Sequence, residues 1–144
     1  MRGEKAFFDT SALIYAFAED DPRTEAAETI LAGGGVVGVQ VLNEFVAVAV
    51  GKLAMPWEEV LEALSAIRVL CPSPVPLTME THNAALGIAR RHGYHIYDSL
   101  VIAAALEASC STLYSEEMHD GQVIDGLTIR NPFRASTTGT VRQS

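Results

Sequence analysis

Four carboxylates in this chain stand beside its most apolar stretches. Asp9 follows Phe7-Phe8, and Glu44 lies among Val41, Leu42, Phe45 and Val46. Asp98 precedes the run Leu100–Ala105, and Glu117 lies three residues after Leu113-Tyr114. Taking an ion out of water costs several kcal/mol unless it is paired, so acids set against core segments call for something positive between them. Brought together without a cation, they would repel one another and some would stay protonated. Hard oxygen ligands suit Mg²⁺ or Mn²⁺, which take one or two carboxylates each and keep several waters. A pair of such ions can hold an attacking water and a leaving oxygen on opposite sides of a phosphorus. The chemistry expected is therefore metal-assisted hydrolysis of a phosphodiester.

Strands and helices alternate in the sequence. Ala6-Phe7-Phe8, Val36–Val39 and Ser111–Tyr114 read as buried strands, and Val123–Ile129 as a hairpin turning at Asp125-Gly126. Helical spacing follows Asp9 over Ser11–Ala18, with a second helix from Pro22, capped by Asp21, to Leu31. Further helices are expected from Gln40 to Leu53, from Pro56 with an inner stripe of Trp57, Val60, Leu61, Leu64 and Ile67, over Thr78–His92 with Gly93 closing it, and from Asp98 to Ala108. This order predicts an α/β fold, a three-layer α/β/α sandwich with a mostly parallel sheet. Functional crevices of such sheets lie outside the carboxyl ends of the strands. Asp9 and Ser115–Glu117 fall there directly, Glu44 about one helical turn beyond a strand, and Asp98 at a helix start.

A chain of 144 residues supports one domain, placed at 1–134, followed by a Ser/Thr/Gly-rich tail over 135–144. No apolar run has the length of a membrane span, and the opening Met-Arg-Gly-Glu-Lys is not a signal peptide, so a cytoplasmic protein is expected. Cys71 and Cys110 lack metal-ligand spacing and read as buried, reduced thiols. A net charge of −8 argues against a simple electrostatic nucleic-acid binder. It leaves room for a nuclease whose bound metal offsets the acids locally, or for a basic protein partner.

Phe8-Asp9-Thr10-Ser11-Ala12-Leu13-Ile14-Tyr15, Asn43-Glu44-Phe45, Tyr97-Asp98-Ser99-Leu100-Val101-Ile102-Ala103-Ala104-Ala105 and Leu113-Tyr114-Ser115-Glu116-Glu117-Met118 together resemble a PIN-domain ribonuclease, in particular the bacterial toxins of VapC type. Asp120-Gly121-Gln122 and Gly126–Phe133 fit the same group, and the resemblance runs to about residue 134. Each motif is weak alone; their order and spacing are specific. The resemblance implies a Mg²⁺- or Mn²⁺-dependent endoribonuclease, the toxin of a toxin–antitoxin pair, with RNA as substrate, a cognate antitoxin as partner and a homodimeric state. It implies catalytic Asp9, Glu44, Asp98 and Glu117, with Asp9, Asp98 and Glu117 as metal ligands and Glu44 holding the first metal's waters. Position 117 usually carries Asp in the family, so the second metal is where this chain departs, and Asp120 is a possible substitute.

Thr10, Ser11, Asn43, Ser115 and Glu116 are candidates for orienting the acids or touching substrate. The bland alternatives are helix caps for Asp9 and Asp98, a solvated helix acid for Glu44 and loop charges for Glu116 and Glu117. His82, His92, His95 and His119 read as surface or structural groups, with His119 adjoining the acids, and Arg90 and Arg91 as a helix C-terminal charge pair or RNA-phosphate contacts. The helices beginning near Ala12 and Gln40 are expected to offer a groove to an antitoxin helix or to bury the same residues in the core. The rival function is a PIN-like binding or regulatory module without catalysis, which predicts weak or absent metal binding.

Overall fold

The computed structural model describes residues 5–133. The expected domain limit at residue 134 and the expected tail over 135–144 lie outside the described residues. The elements run β1 (Ala6–Phe8), α1 (Thr10–Ala16), α2 (Thr24–Ala32), α3 (Val39–Gly51), α4 (Trp57–Leu70), α5 (Met79–His92), α6 (Ile96–Glu107), β2 (Thr112–Tyr114), β3 (Val123–Ile124) and β4 (Leu127–Arg130).

The sheet has the order β1-β2-β4-β3. β1 pairs with β2 and β2 with β4 in parallel, while β3 closes on β4 antiparallel. Phe7 and Phe8 point to opposite faces of β1 and both are fully buried, so helices cover the sheet on both sides, as an α/β fold requires. Asp125 and Gly126, both with positive φ, turn the hairpin.

The strand expected over Val36–Val39 is reduced to two isolated bridges, Phe7 with Val36 and Gly38 with Val75. The chain crosses from one neighbour to the other and enters α3 at once, leaving no length for a ladder. Gly35 makes the first bridge possible: a Cβ there would sit 2.5 Å from the Ala6 carbonyl oxygen.

α5 packs along α6, and α1 touches both α2 and α3, with α3 against α4. α6 is buried from Ser99 to Ala105, as its all-round apolar sequence demands. Thr78 caps α5 through a capping box with Thr81 instead of lying within the helix, and left-handed Gly93 closes it as expected.

Two further expectations change. α2 starts at Thr24, because the Asp21 carboxylate turns onto the Arg23 backbone and side chain rather than capping a helix at Pro22. On α4 the buried stripe is Val60, Ala63 and Ile67, and Trp57 and Leu61 are 56% and 57% exposed. Small Ala63 lets α4 approach its neighbour, which puts the bulkier residues on the next face.

Candidate active site

Because β1 and β2 run parallel with Phe8 level with Tyr114, the residues that follow them emerge side by side. The Asp9 backbone N–H donates to the Tyr114 carbonyl at 3.0 Å, and Ser115 Oγ donates to Asp9 Oδ2 at 2.9 Å. Asp9 Oδ1 accepts from the Thr10 backbone at 2.7 Å, so the same carboxylate is the N-cap of α1. The cap reading and the functional reading of Asp9 therefore both describe it. Asp9 is buried, and that burial, reinforced by the charges of Asp98 and Glu44, outweighs its two hydrogen bonds and pushes its carboxyl up to about 6.

Glu44 comes in from α3. Thr10 Oγ1 donates to Glu44 Oε1 at 2.7 Å, and Gln40 Nε2 to Glu44 Oε2 at 3.3 Å. The amide oxygen of Gln40, Oε1, is buried and has no hydrogen-bond partner among the described residues. Asp98 stands in the first turn of α6, whose N-cap is His95 rather than Asp98 itself. Burial raises the Asp98 carboxyl, the nearby His95 opposes that and Glu44 adds to it.

Glu116 and Glu117 follow Ser115. The Glu116 carboxylate meets Arg23 Nη1 at 3.0 Å, and the Arg23 guanidinium also binds Asp21 and lies 3.8 Å over the Tyr15 ring. Glu116 is thereby neutralised and anchored to the α2 side, while Glu117 is exposed. Ser11 Oγ accepts from the Glu116 backbone at 3.4 Å, and Ser115 Oγ from that of Glu117 at 3.4 Å.

Asp9, Glu44, Asp98, Glu116 and Glu117 line one cleft of about 530 Å³, together with Thr10, Ser11, Tyr15, Lys52 and Tyr97. Among the described residues no three His, Cys, Asp or Glu side chains close round a single point as a complete ligand shell. The carboxylates lining the cleft nevertheless offer oxygen donors, the kind Mg²⁺ or Mn²⁺ prefers. The cysteines lie elsewhere in the core, and burial raises both thiols to about 11, so they stay protonated at neutral pH.

Residues 6–120 match the PIN domain profile. The chain belongs to the PIN domain family. No curated protein matches it in sequence. Among solved structures, the fold of this PIN domain is similar to a toxin–antitoxin complex from Klebsiella pneumoniae, with a TM-score of 0.68 and 17% identity over 89% of this chain and 98% of that one. Mycobacterium tuberculosis VapC20, a toxin that cleaves the sarcin–ricin loop, gives a TM-score of 0.64 and 19% identity over 77% and 88% of the two chains. VapBC2 from Rickettsia felis, bound to a DNA fragment of its promoter, gives 0.60 and 16% over 88% and 97%.

The remaining candidates of this PIN domain fall in different places. Ser115 is buried behind Asp9. Asn43 is exposed on α3 and does not line the cleft; the amide that holds Glu44 is Gln40, one turn earlier. The i, i+4 spacing of Gln40 and Glu44 was the signal for it. Asp120 Oδ1 accepts from the Asn131 backbone at 2.8 Å and is not a cleft residue. The His119 ring faces Tyr94, also away from the cleft. Arg23 carried no sequence signal, since its partner Glu116 is 93 residues away. Ala12, Leu13, Val41 and Phe45 are buried in the core, so they offer no open groove to a partner helix.

Proposed function

We propose that this PIN domain is a divalent-metal-dependent endoribonuclease and the toxin of a toxin–antitoxin pair. The observation that carries the reading is the convergence of Asp9, Glu44, Asp98 and Glu117, from four separate parts of the chain, on one cleft at the carboxyl ends of β1 and β2. An ionised carboxylate buried as deeply as Asp9 is retained at a cost, and a cation relieves that cost. Asp9 and Asp98 would hold the first Mg²⁺ or Mn²⁺, Glu44 would orient its waters, and Glu117 would reach a second ion. Such an ion, when bound, would make its water more acidic and offset charge on the scissile phosphate. The chain's own residues set the geometry: Ser115 and Thr10 fix Asp9, Thr10 and Gln40 fix Glu44, and Arg23 withdraws Glu116.

The toxin reading is supported by fold neighbours that are toxins or toxin–antitoxin complexes. It carries with it an antitoxin partner, a homodimer and a cytoplasmic site of action. Among the described residues no helix is long and apolar enough to cross a membrane.

The test is to incubate purified protein with total RNA and Mg²⁺ or Mn²⁺ and map the products. Cleavage by the wild type, abolished by EDTA and by Asp98→Asn, is the expected result. Cleavage that survives both controls overturns the metal-dependent reading, and no cleavage with either metal favours the non-catalytic binding module.

A further inference from the structure

Tyr97 is out of character for a residue so close to a core helix. It opens the most buried helix of the fold, yet it is 58% exposed and lines the acid cleft. Its ring stacks on the His95 imidazole, with centroids 5.4 Å apart and planes 24° from parallel. The cap bond that starts α6 uses the Tyr97 backbone N–H and His95 Nδ1, so the helix start does not need the phenol ring. Tyr94, three residues earlier, shows what a structural tyrosine does here: its hydroxyl donates to Gln122 at 2.6 Å. Among the described residues the Tyr97 hydroxyl has no such partner, and the ring's aromatic neighbour is His95.

Lys52 is the second unusual member. Five carboxylates line the cleft, and Lys52 is the one cation among the described residues lining it. It is exposed, as is Leu53 beside it, at the C-terminal end of α3. An acidic cleft repels a polyanion, and an exposed ammonium on its wall is suited to pair with a phosphate.

We propose that Tyr97 and Lys52 form a nucleotide subsite of the cleft, in which an unpaired base of the RNA stacks on the Tyr97 ring and a flanking phosphate pairs with Lys52. The proposal rests on the ribonuclease reading. A base can use an aromatic face only when it is splayed out of a helix, so the substrate class is single-stranded RNA or an unpaired loop. His95 fixes one side of the ring, so little conformational freedom is lost when a base covers the other. Trp57 is as exposed as Tyr97 but is absent from the cleft, which is why the stacking role falls to Tyr97.

The test is stopped-flow fluorescence of a single-stranded oligoribonucleotide carrying 2-aminopurine, mixed with the full-length protein and Mg²⁺. Stacking on Tyr97 quenches the probe. Tyr97→Ala is expected to lose the quench and weaken binding by roughly tenfold or more, and Tyr97→Phe to keep both. Lys52→Gln is expected to keep the quench, bind more weakly and flatten the salt dependence of log K by about 0.7, one phosphate's share for a single strand. Equal quench and affinity in wild type and Tyr97→Ala, or no quench with the wild type, overturns the subsite. A wild type that quenches but never cleaves RNA sinks the nuclease and leaves the subsite standing; cleavage without quenching does the reverse.

Discussion

Asp9 shows how a single residue serves both fold and chemistry. As the N-cap of α1 it stabilises the helix, and as a buried anion it costs stability. Its carboxyl binds a proton more tightly when folded, at about 6, than at its ordinary 3.8. The stability this contributes is complete below about 3.8 and is lost as pH rises through about 6. Metal-free protein should therefore melt lower at pH 7.5 than at pH 5 as far as this group is concerned, and Asp9→Asn should raise the pH 7.5 melting temperature in EDTA. The gap between 3.8 and about 6 corresponds to a ceiling on the order of 3 kcal/mol. Asn can still accept from Thr10 and donate to Ser115, so both contacts survive. Urea melts of the two proteins at the two pH values check this, and a destabilised Asp9→Asn in EDTA at pH 7.5 would contradict it. A metal that competes with this proton should also bind more weakly below pH 6, with proton release visible as buffer-dependent heat.

Elements position these residues through a few close approaches. Gly35 is the tightest, and Gly35→Ala should cost about 1–3 kcal/mol in denaturant unfolding, because the added methyl meets both the β1 backbone at Ala6 and the buried Phe8 ring. A cost near zero would mean that Val36 can leave β1 without harm. On α3, Gln40→Ala should lower kcat more than it alters melting temperature, since it frees one Glu44 oxygen and removes a buried polar group that lacks a full set of partners. The end of α5 and the hairpin were legible because local signals specify them: Gly93 after α5, and Asp125-Gly126 at the turn. The α4 face was not, since Trp57 and Leu61 mark an apolar stripe next to the one that is buried, and only packing against α3 separates the two. The four acids could be picked out because each stands beside an apolar stretch. Arg23 could not, because its role exists only once α2 and the Ser115–Glu117 segment meet.

Across the whole molecule, charge sets the terms. The chain carries a net −8, and its cleft gathers five acids against one lysine. RNA binding should therefore depend on divalent metal, not only cleavage: in EDTA, an RNA ligand should bind far more weakly than in Mg²⁺, with anisotropy as the measure. The PIN fold explains how distant acids reach one rim, because parallel β1 and β2 end together and α3 and α6 bring Glu44 and Asp98 to the same cleft. The proposed chemistry depends on a cation that the acids would share. The most direct test is calorimetric titration of Mn²⁺ into the wild type and into Asp98→Asn at pH 7.5. Saturable binding by the wild type, weakened by about tenfold or more in the variant, is the predicted result. Superimposable isotherms, or no binding by the wild type, would contradict it.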